Sequence, residues 1–144
     1  MPFVEGMIRD SPSWVDVDGL ADKIVGGLLL AFPETARTLD AWVGDPCLWI
    51  RRTSLLALLP GIRAGRPDTA RLERYGAALV AEREFFVRKA LGWVLRELAK
   101  RDSAQVAAWT GAHLAEMSGV TLREAVKYLP EDDAARLRAA YRAR

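Results

Sequence analysis

Apolar residues recur along most of this chain at intervals of three or four, and Pro or Gly separates the segments that carry this pattern. Spacing near 3.6 with few β-branched residues is typical of amphipathic helices. No segment shows the alternation that a half-buried β-strand needs. The pattern predicts an all-α fold with helices at 13–31, 34–43, 46–59, 68–81, 84–101, 103–117, 121–129 and 131–142.

Several of these helices are expected to begin at a capping residue. Ser13 and Asp16 have the spacing of a capping box, with Asp in place of the usual Glu. Asp102 and Thr121 are further expected caps. On the first helix, the periodicity places one set of residues on one face: Val17, Leu20, Ile24, Gly27 and Leu28.

A repeat is visible when residues 45–52 are aligned with residues 82–89, a shift of 37 positions. An acidic opener, an aromatic residue, a β-branched aliphatic and a basic pair recur in register. Two helices per unit at about this period indicate HEAT-type repeats. The sequence therefore favours a HEAT-like α-solenoid of antiparallel helix pairs, with residues 1–144 as a single domain.

Composition narrows the function classes. The 144 residues are 51% hydrophobic, which is enough for a real core. The longest apolar run, from Val25 to Phe32, is far shorter than a membrane span, and no signal peptide opens the chain. We therefore expect a cytoplasmic protein. With one cysteine and one histidine, the chain suggests no disulfide, no metal site and no cofactor.

The formal net charge of +2 hides an uneven distribution. Residues 1–47 carry three Arg or Lys against eight Asp or Glu, whereas residues 48–101 carry twelve against five. A positive middle suggests one electropositive surface that faces an anionic partner. A solvated helix surface is the alternative explanation.

Trp93 lies where packing alone would not place an indole. At 100° per residue it falls away from the apolar stripe of its helix and beside Lys89, Arg96 and Lys100. One interpretation is a Trp that covers the neighbouring repeat while basic stems lie over it. The other is an aromatic platform in a phosphate-binding row, with cations on phosphates and the ring against a sugar or base. The stripe itself comprises Val87, Leu91, Val94, Leu95 and Leu98.

Asp18 is the corresponding acid on the first helix. Trp14 and Asp18 are i and i+4 neighbours, beside small or apolar residues. An acid in such surroundings is a candidate for a partly desolvated functional carboxylate. Taken alone, an acid such as Asp18 would more often be an ordinary solvated or first-turn acid that interacts favourably with the helix N-terminus.

Three segments resemble the DNA alkylation repair glycosylase family. Residues 14–21 read WVDVDGLA and are followed by IVG at 24–26, and residues 49–56 read WIRRTSLL. The clearest match is the run EFFVRKALGWVLRELAK at residues 84–100, which is similar to that family's box nearly residue for residue. The resemblance covers roughly residues 8–128 and is most specific in its last segment.

The resemblance implies a HEAT-like solenoid bound to duplex DNA, with a monofunctional glycosylase site. Asp18 would be the catalytic carboxylate, and Trp14 and Trp93 would lie beside the deoxyribose of the lesion. Arg52 would match the family's phosphate-binding arginine, although the adjacent Arg51 leaves that assignment open by one position.

Three more cations are expected to contact the DNA backbone. This expectation rests mainly on the helical wheel rather than on the family: Lys89, Arg96 and Lys100.

The chemistry suits a carboxylate. A purine alkylated at N3 or N7 is cationic and leaves as a neutral base, while the sugar develops oxocarbenium character that a fixed carboxylate and indole faces stabilise. On this reasoning Asp18→Asn should slow excision without altering folding. The expected partner is duplex DNA that carries alkylated purines, and the protein is expected to be nucleoid-associated when bound to that DNA.

The family's helical repeats ahead of the Trp14 segment have little room here, because only residues 1–13 precede it. The chain is therefore expected to lack N-terminal repeats. Two other functions stay open: a non-catalytic DNA-binding module, and a protein-interaction scaffold of the kind that HEAT-type stacks commonly form.

Overall fold

The computed structural model describes residues 1–144, which form helices and no strands, so the predicted all-α class is confirmed. The chain divides into two compact units, Met1–Ala78 and Leu79–Arg144. The arrangement of helices as a solenoid stays a prediction. The helices are α1 Pro2–Arg9, α2 Trp14–Gly19, a π-helical turn Leu20–Val25, α3 Gly26–Ala31, a 3₁₀ turn Pro33–Thr35, α4 Ala36–Trp42, α5 Leu48–Leu56, α6 Leu59–Arg63, α7 Thr69–Leu79, α8 Phe85–Ala99, α9 Ser103–His113, α10 Gly119–Ala125 and α11 Glu131–Ala143.

Two helices have no counterpart in the sequence-based assignment. One is α1, and the other is α6, which begins where the predicted helix 46–59 was expected to stop. Pro60 suggested a helix end there. In the structure it occupies the first turn of α6, where the missing N–H has no intrahelical partner to lose.

The expected caps have mixed outcomes. Ser13 is the N-cap of α2, but its hydroxyl lies 3.1 Å from the Asp16 carboxylate and caps no backbone N–H. Asp102 is confirmed, since it accepts from the Gln105 N–H. The cap predicted at Thr121 is wrong, because α10 begins earlier and Ser118 caps it by accepting a hydrogen bond from the Thr121 N–H.

A π-helical turn interrupts the helical run that starts at Trp14. The Gly26 N–H donates to the Ala21 carbonyl, five residues back. This wider turn keeps residues that are four positions apart on the same side of the helix. Val17, Ala21 and Val25 share that side and are completely buried. π turns of this kind are frequent at functional sites.

The apolar face expected on this helix is therefore only partly buried: Val17 is completely buried, and Leu20 and Leu28 are half-buried. Ile24 is 40% exposed and Gly27 is also exposed, although both belong to that face. The buried stripe predicted on α8, by contrast, is confirmed in full.

The register of the repeat is confirmed at the starts of α5 and α8. Their N-cap residues, Cys47 and Glu84, are 37 positions apart and share an extended conformation. In each case the acid two residues earlier accepts a hydrogen bond from the N-cap N–H, at 2.8 Å from Asp45 and 3.2 Å from Glu82.

The first basic residue of each repeated pair also has one role. Arg51 donates to the carbonyl of Asp45, and Arg88 donates to the carbonyl of Glu82. Both arginines thus tie their helix to the loop that precedes it. The second basic residue of each pair, Arg52 or Lys89, instead binds a carboxylate on another helix.

Gly26 lies against Pro60 where α3 packs on α6. A Cβ at Gly26 would lie 2.6 Å from the Pro60 Cγ, whereas a Cβ at Gly27 would meet nothing within 4 Å. The proline ring cannot swing away as a flexible side chain would. The contact therefore requires glycine at position 26 alone.

Gly26→Ala should destabilise the first unit by about 1–3 kcal/mol, the usual cost of overpacking a core contact. Gly27→Ala is the matched control and should be neutral or stabilising by up to about 1 kcal/mol, because alanine is the better helix former. Urea denaturation of both variants measures the difference. Equal stabilities would contradict the close contact with Pro60.

Asp45 joins α1 to the start of α5. Arg9 donates to both of its carboxylate oxygens, at 2.9 and 2.6 Å, and also to Glu5. The hydrogen bonds from Arg9, and then the Cys47 N–H, lower the pKa of Asp45 despite the opposing effect of desolvation. Stability from this carboxylate is therefore present above its ordinary pKa of about 3.9 and is lost as pH falls through the lowered value.

Asp45→Asn should lower the melting temperature near neutral pH, and the gap from the wild type should close as the solution is acidified through that range. The exposed Asp10→Asn serves as control and should show no such gap. Melting curves followed by circular dichroism across pH give the measurement. A gap that persists to the lowest pH at which the chain folds would refute this account of Asp45.

Candidate functional site

Asp18 forms a two-point ion pair with Arg52 in the first unit. The Arg52 Nε lies 2.8 Å from Asp18 Oδ1, and Nη2 lies 3.0 Å from Oδ2. The Arg52 side chain is 4% exposed and that of Asp18 is 17% exposed. Bidentate pairs of this kind fix orientation as well as charge. The carboxylate is thus held rigidly at the surface by a cation beneath it.

Trp14 stands one helical turn before Asp18 and is 47% exposed, although an indole usually buries most of its surface. The π-helical turn begins two residues after Asp18. An exposed indole and a fixed carboxylate therefore share this end of the helix, as the sequence predicts.

The two adjacent arginines differ in their surroundings. Arg51 donates from Nη1 to the carbonyls of Asp45 and Pro46, both at 2.9 Å. Arg52, which the resemblance pairs with a phosphate, is the one bound to Asp18. The geometry therefore gives Arg52 a role in holding the carboxylate that the sequence did not suggest.

A groove in the first unit lies away from these residues. It has a volume of about 1000 Å³ and is mainly apolar, and its walls come from α1, α2 and the loop between them, including Phe3, Met7 and Val15. It contains none of Trp14, Asp18 and Arg52.

In the second unit, Lys89, Trp93 and Arg96 line one pocket of about 290 Å³. This places the indole beside two of the three cations that the helical wheel predicts. Two further residues, which the sequence pattern did not suggest, complete the pocket: Glu124 on α10, and Lys127 in the turn after it.

Glu124 is the centre of this pocket, and its side chain is only 6% exposed. Its Oε1 accepts from Lys89 at 2.7 Å and from Lys127 at 3.1 Å, and its Oε2 accepts from Arg96 at 2.9 Å. Burial alone would raise the pKa of Glu124, but the hydrogen bonds from the two lysines outweigh it and the pKa is lowered. Glu124 is thus a carboxylate surrounded by three cations.

Gly92 allows Glu124 to come so close to α8. A Cβ on this residue would lie 2.6 Å from the Glu124 Cβ. The Thr121 hydroxyl also donates to the Arg88 carbonyl at 2.9 Å, which joins α10 to α8 one turn away. The backbones of the two helices therefore approach closely enough to seat the carboxylate between Lys89 and Arg96.

Lys100, the third predicted cation, lies outside that pocket. Its ammonium group is 3.1 Å from Glu97 and 4.8 Å from the centre of the Tyr128 ring. No group of three or more His, Cys, Asp or Glu side chains could hold a metal ion.

The Asp18–Arg52 pair should show strong coupling in a double-mutant cycle. Arg52→Met removes the partner of the half-buried Asp18, and Asp18→Asn removes the charge that pairs with the buried Arg52. Each should therefore destabilise the chain, contrary to the expectation that Asp18→Asn leaves folding unaltered. The double variant should be less destabilised than the sum, by on the order of 1–3 kcal/mol. Urea denaturation of the four proteins gives the coupling energy, and strict additivity would contradict the pair.

One comparison with known proteins agrees with the sequence resemblance. A family model described as DNA alkylation repair enzyme matches residues 1–129. No curated protein sequence matches the chain. None of the helices is both long and apolar enough to cross a membrane.

The family match spans both units and includes Trp14, Asp18, Arg52 and Trp93. Its description gives the chain a role in alkylation repair, with DNA as its partner. The chain therefore belongs to the DNA alkylation repair enzyme family.

Proposed function

We propose that this chain is a monofunctional DNA glycosylase that excises cationic N3- or N7-alkylated purines from duplex DNA. The observation that carries the proposal is the fixed Asp18 carboxylate beside the exposed Trp14 indole. Both groups favour a cation, and breaking the glycosidic bond of such a lesion creates cationic character on the sugar.

Asp18 stabilises the developing oxocarbenium ion and orients the attacking water. The alkylated base carries its own positive charge, so it departs as a neutral leaving group and needs no general acid. A carboxylate that is already in place requires no reorganisation when the charge develops, which is why preorganised groups have large effects. Arg52 supplies this preorganisation through its two hydrogen bonds.

The second unit contributes contacts to the DNA backbone. Lys89, Arg96 and Lys100 face phosphates, and the Trp93 indole contacts a sugar. Each of these cations already has an acidic neighbour, so the surface holds ordered side chains rather than loose ones. Order of this kind lowers the entropy that is lost on binding.

A second function, a DNA-binding module without catalysis, is favoured by one observation. Both oxygens of Asp18 accept hydrogen bonds from Arg52, as in an ion pair with a purely structural role. Such a module would bind duplex DNA in a salt-dependent manner and release no base.

Release of free 7-methylguanine from a methylated duplex separates the two functions. Asp18→Asn should reduce the single-turnover excision rate by about 10²-fold or more, equivalent to about 2.7 kcal/mol, because the carboxylate acts mainly in the transition state. Its affinity for the duplex should change much less.

Asp16→Asn is the matched control for this experiment. Asp16 is an exposed acid on the same helix, and its carboxylate accepts a hydrogen bond from the Ser13 hydroxyl. This control variant should excise at the wild-type rate. All assays should be run well below the melting temperature of the Asp18→Asn variant, because Arg52 has lost its charged partner in that protein. Wild-type excision by Asp18→Asn would rule out the catalytic role, and intact binding without release by the wild type would favour the module.

A further inference from the structure

The pocket beside Trp93 holds more positive charge than the sequence of α8 suggests. Lys89 and Arg96 come from α8, and Lys127 comes from the turn after α10. One carboxylate, Glu124, pairs with all three cations and neutralises one of their positive charges, so two remain in excess. All five residues of the pocket lie within the second unit.

We infer that Glu124 is a positioning residue for DNA binding and that Lys127 is a further phosphate ligand, the two completing a phosphodiester pocket with Lys89, Arg96 and Trp93. This inference rests on the proposed function, because it concerns the backbone of the same DNA. It assigns roles to two residues that neither the sequence pattern nor the family match assigns.

Glu124 cannot itself be the ligand-binding group, because it is an anion that is almost completely buried. Its two oxygens instead bring together three side chains that would otherwise repel one another. Lys89 and Lys127 share Oε1, so their ammonium groups lie within a few ångströms of each other. Both side chains stay about half exposed, and an ammonium group has three donors, so each can bind Glu124 and a phosphate together.

Arg96 shows the same arrangement in a more buried position. Its Nη1 binds Glu124, and its Nε is buried without a hydrogen-bond partner. Without the carboxylate, this guanidinium would be partly buried with no opposing charge, and it would move towards water. Glu124 therefore keeps Arg96 beside the Trp93 indole, where a phosphate and its sugar can meet a cation and a ring together.

Two simple accounts of Glu124 give opposite signs for one substitution. If the carboxylate only neutralises charge, Glu124→Gln makes the surface more positive and tightens DNA binding. If it positions the cations, the same change frees three flexible side chains that must be ordered again on binding. We expect the second result, with affinity for an undamaged duplex lowered by roughly tenfold.

The dependence of affinity on salt measures the number of phosphate contacts directly. Lys127→Ala should reduce the slope of log affinity against log salt by roughly one, as expected for one lost contact. Glu124→Gln should reduce it by at least as much. Partial unfolding would lower the bound fraction without altering the slope of the folded protein, so a merely structural role would not reproduce this result.

Gly92→Ala tests the position of the carboxylate without changing any charge. Its new Cβ would displace Glu124, so it should also lower the affinity and the salt slope. Glu116→Gln is the control for loss of one negative charge, since Glu116 is an exposed acid in the same unit. It should bind as tightly as the wild type or slightly more tightly.

The measurement is fluorescence anisotropy of a labelled undamaged duplex across a series of salt concentrations, with a melting curve for each variant. Tighter or unchanged binding by Glu124→Gln, or an unchanged salt slope for Lys127→Ala, would overturn the inference while the glycosylase proposal stands. Binding that follows these expectations without any base release would rule out the glycosylase proposal and would still support this inference. A wild-type chain that binds no duplex would overturn both.

Discussion

Both candidate sites depend on a charged side chain that is buried where two helices pack and that must therefore be paired. Arg52 and Lys89 occupy equivalent positions in the repeat, directly after the arginines that tie α5 and α8 to their preceding loops. Each points towards another helix, and each meets a carboxylate there. The buried member is Arg52 in the first pair and Glu124 in the second, and either charge would be costly without its partner.

The two carboxylates differ in a way that separates their proposed roles. Asp18 faces one cation, which lies beneath it, and 17% of its side chain reaches the surface. Glu124 faces three cations and is more deeply buried. A developing positive charge is stabilised by an acid that is accessible and only singly paired, whereas an acid surrounded by cations mainly organises them. Catalysis is therefore proposed for Asp18, and positioning for Glu124.

Close backbone contacts within each unit set these side chains in place. Gly26 lets α3 lie against Pro60, beyond the π-helical turn that follows Asp18. Gly92 lets α10 bring Glu124 onto α8. In both cases one methyl group would separate the elements, so the geometry of the site depends on residues that take no part in its chemistry.

The sequence by itself determined the helices other than α1 and α6, the start of each repeat, the buried stripe of α8 and the grouping of Trp93 with Lys89 and Arg96. These features depend on residues within a turn or two of one another, and helical periodicity records them directly. Only the tertiary structure decided that Arg52 binds Asp18, and that Glu124 and Lys127 join the Trp93 pocket. The partners of Arg52 and Lys89 are 34 and 35 positions distant, and their contacts depend on how neighbouring helices pack, which no local pattern encodes. The π-helical turn was decided in the same way, because its wider winding brings Val25 to the core in place of Ile24.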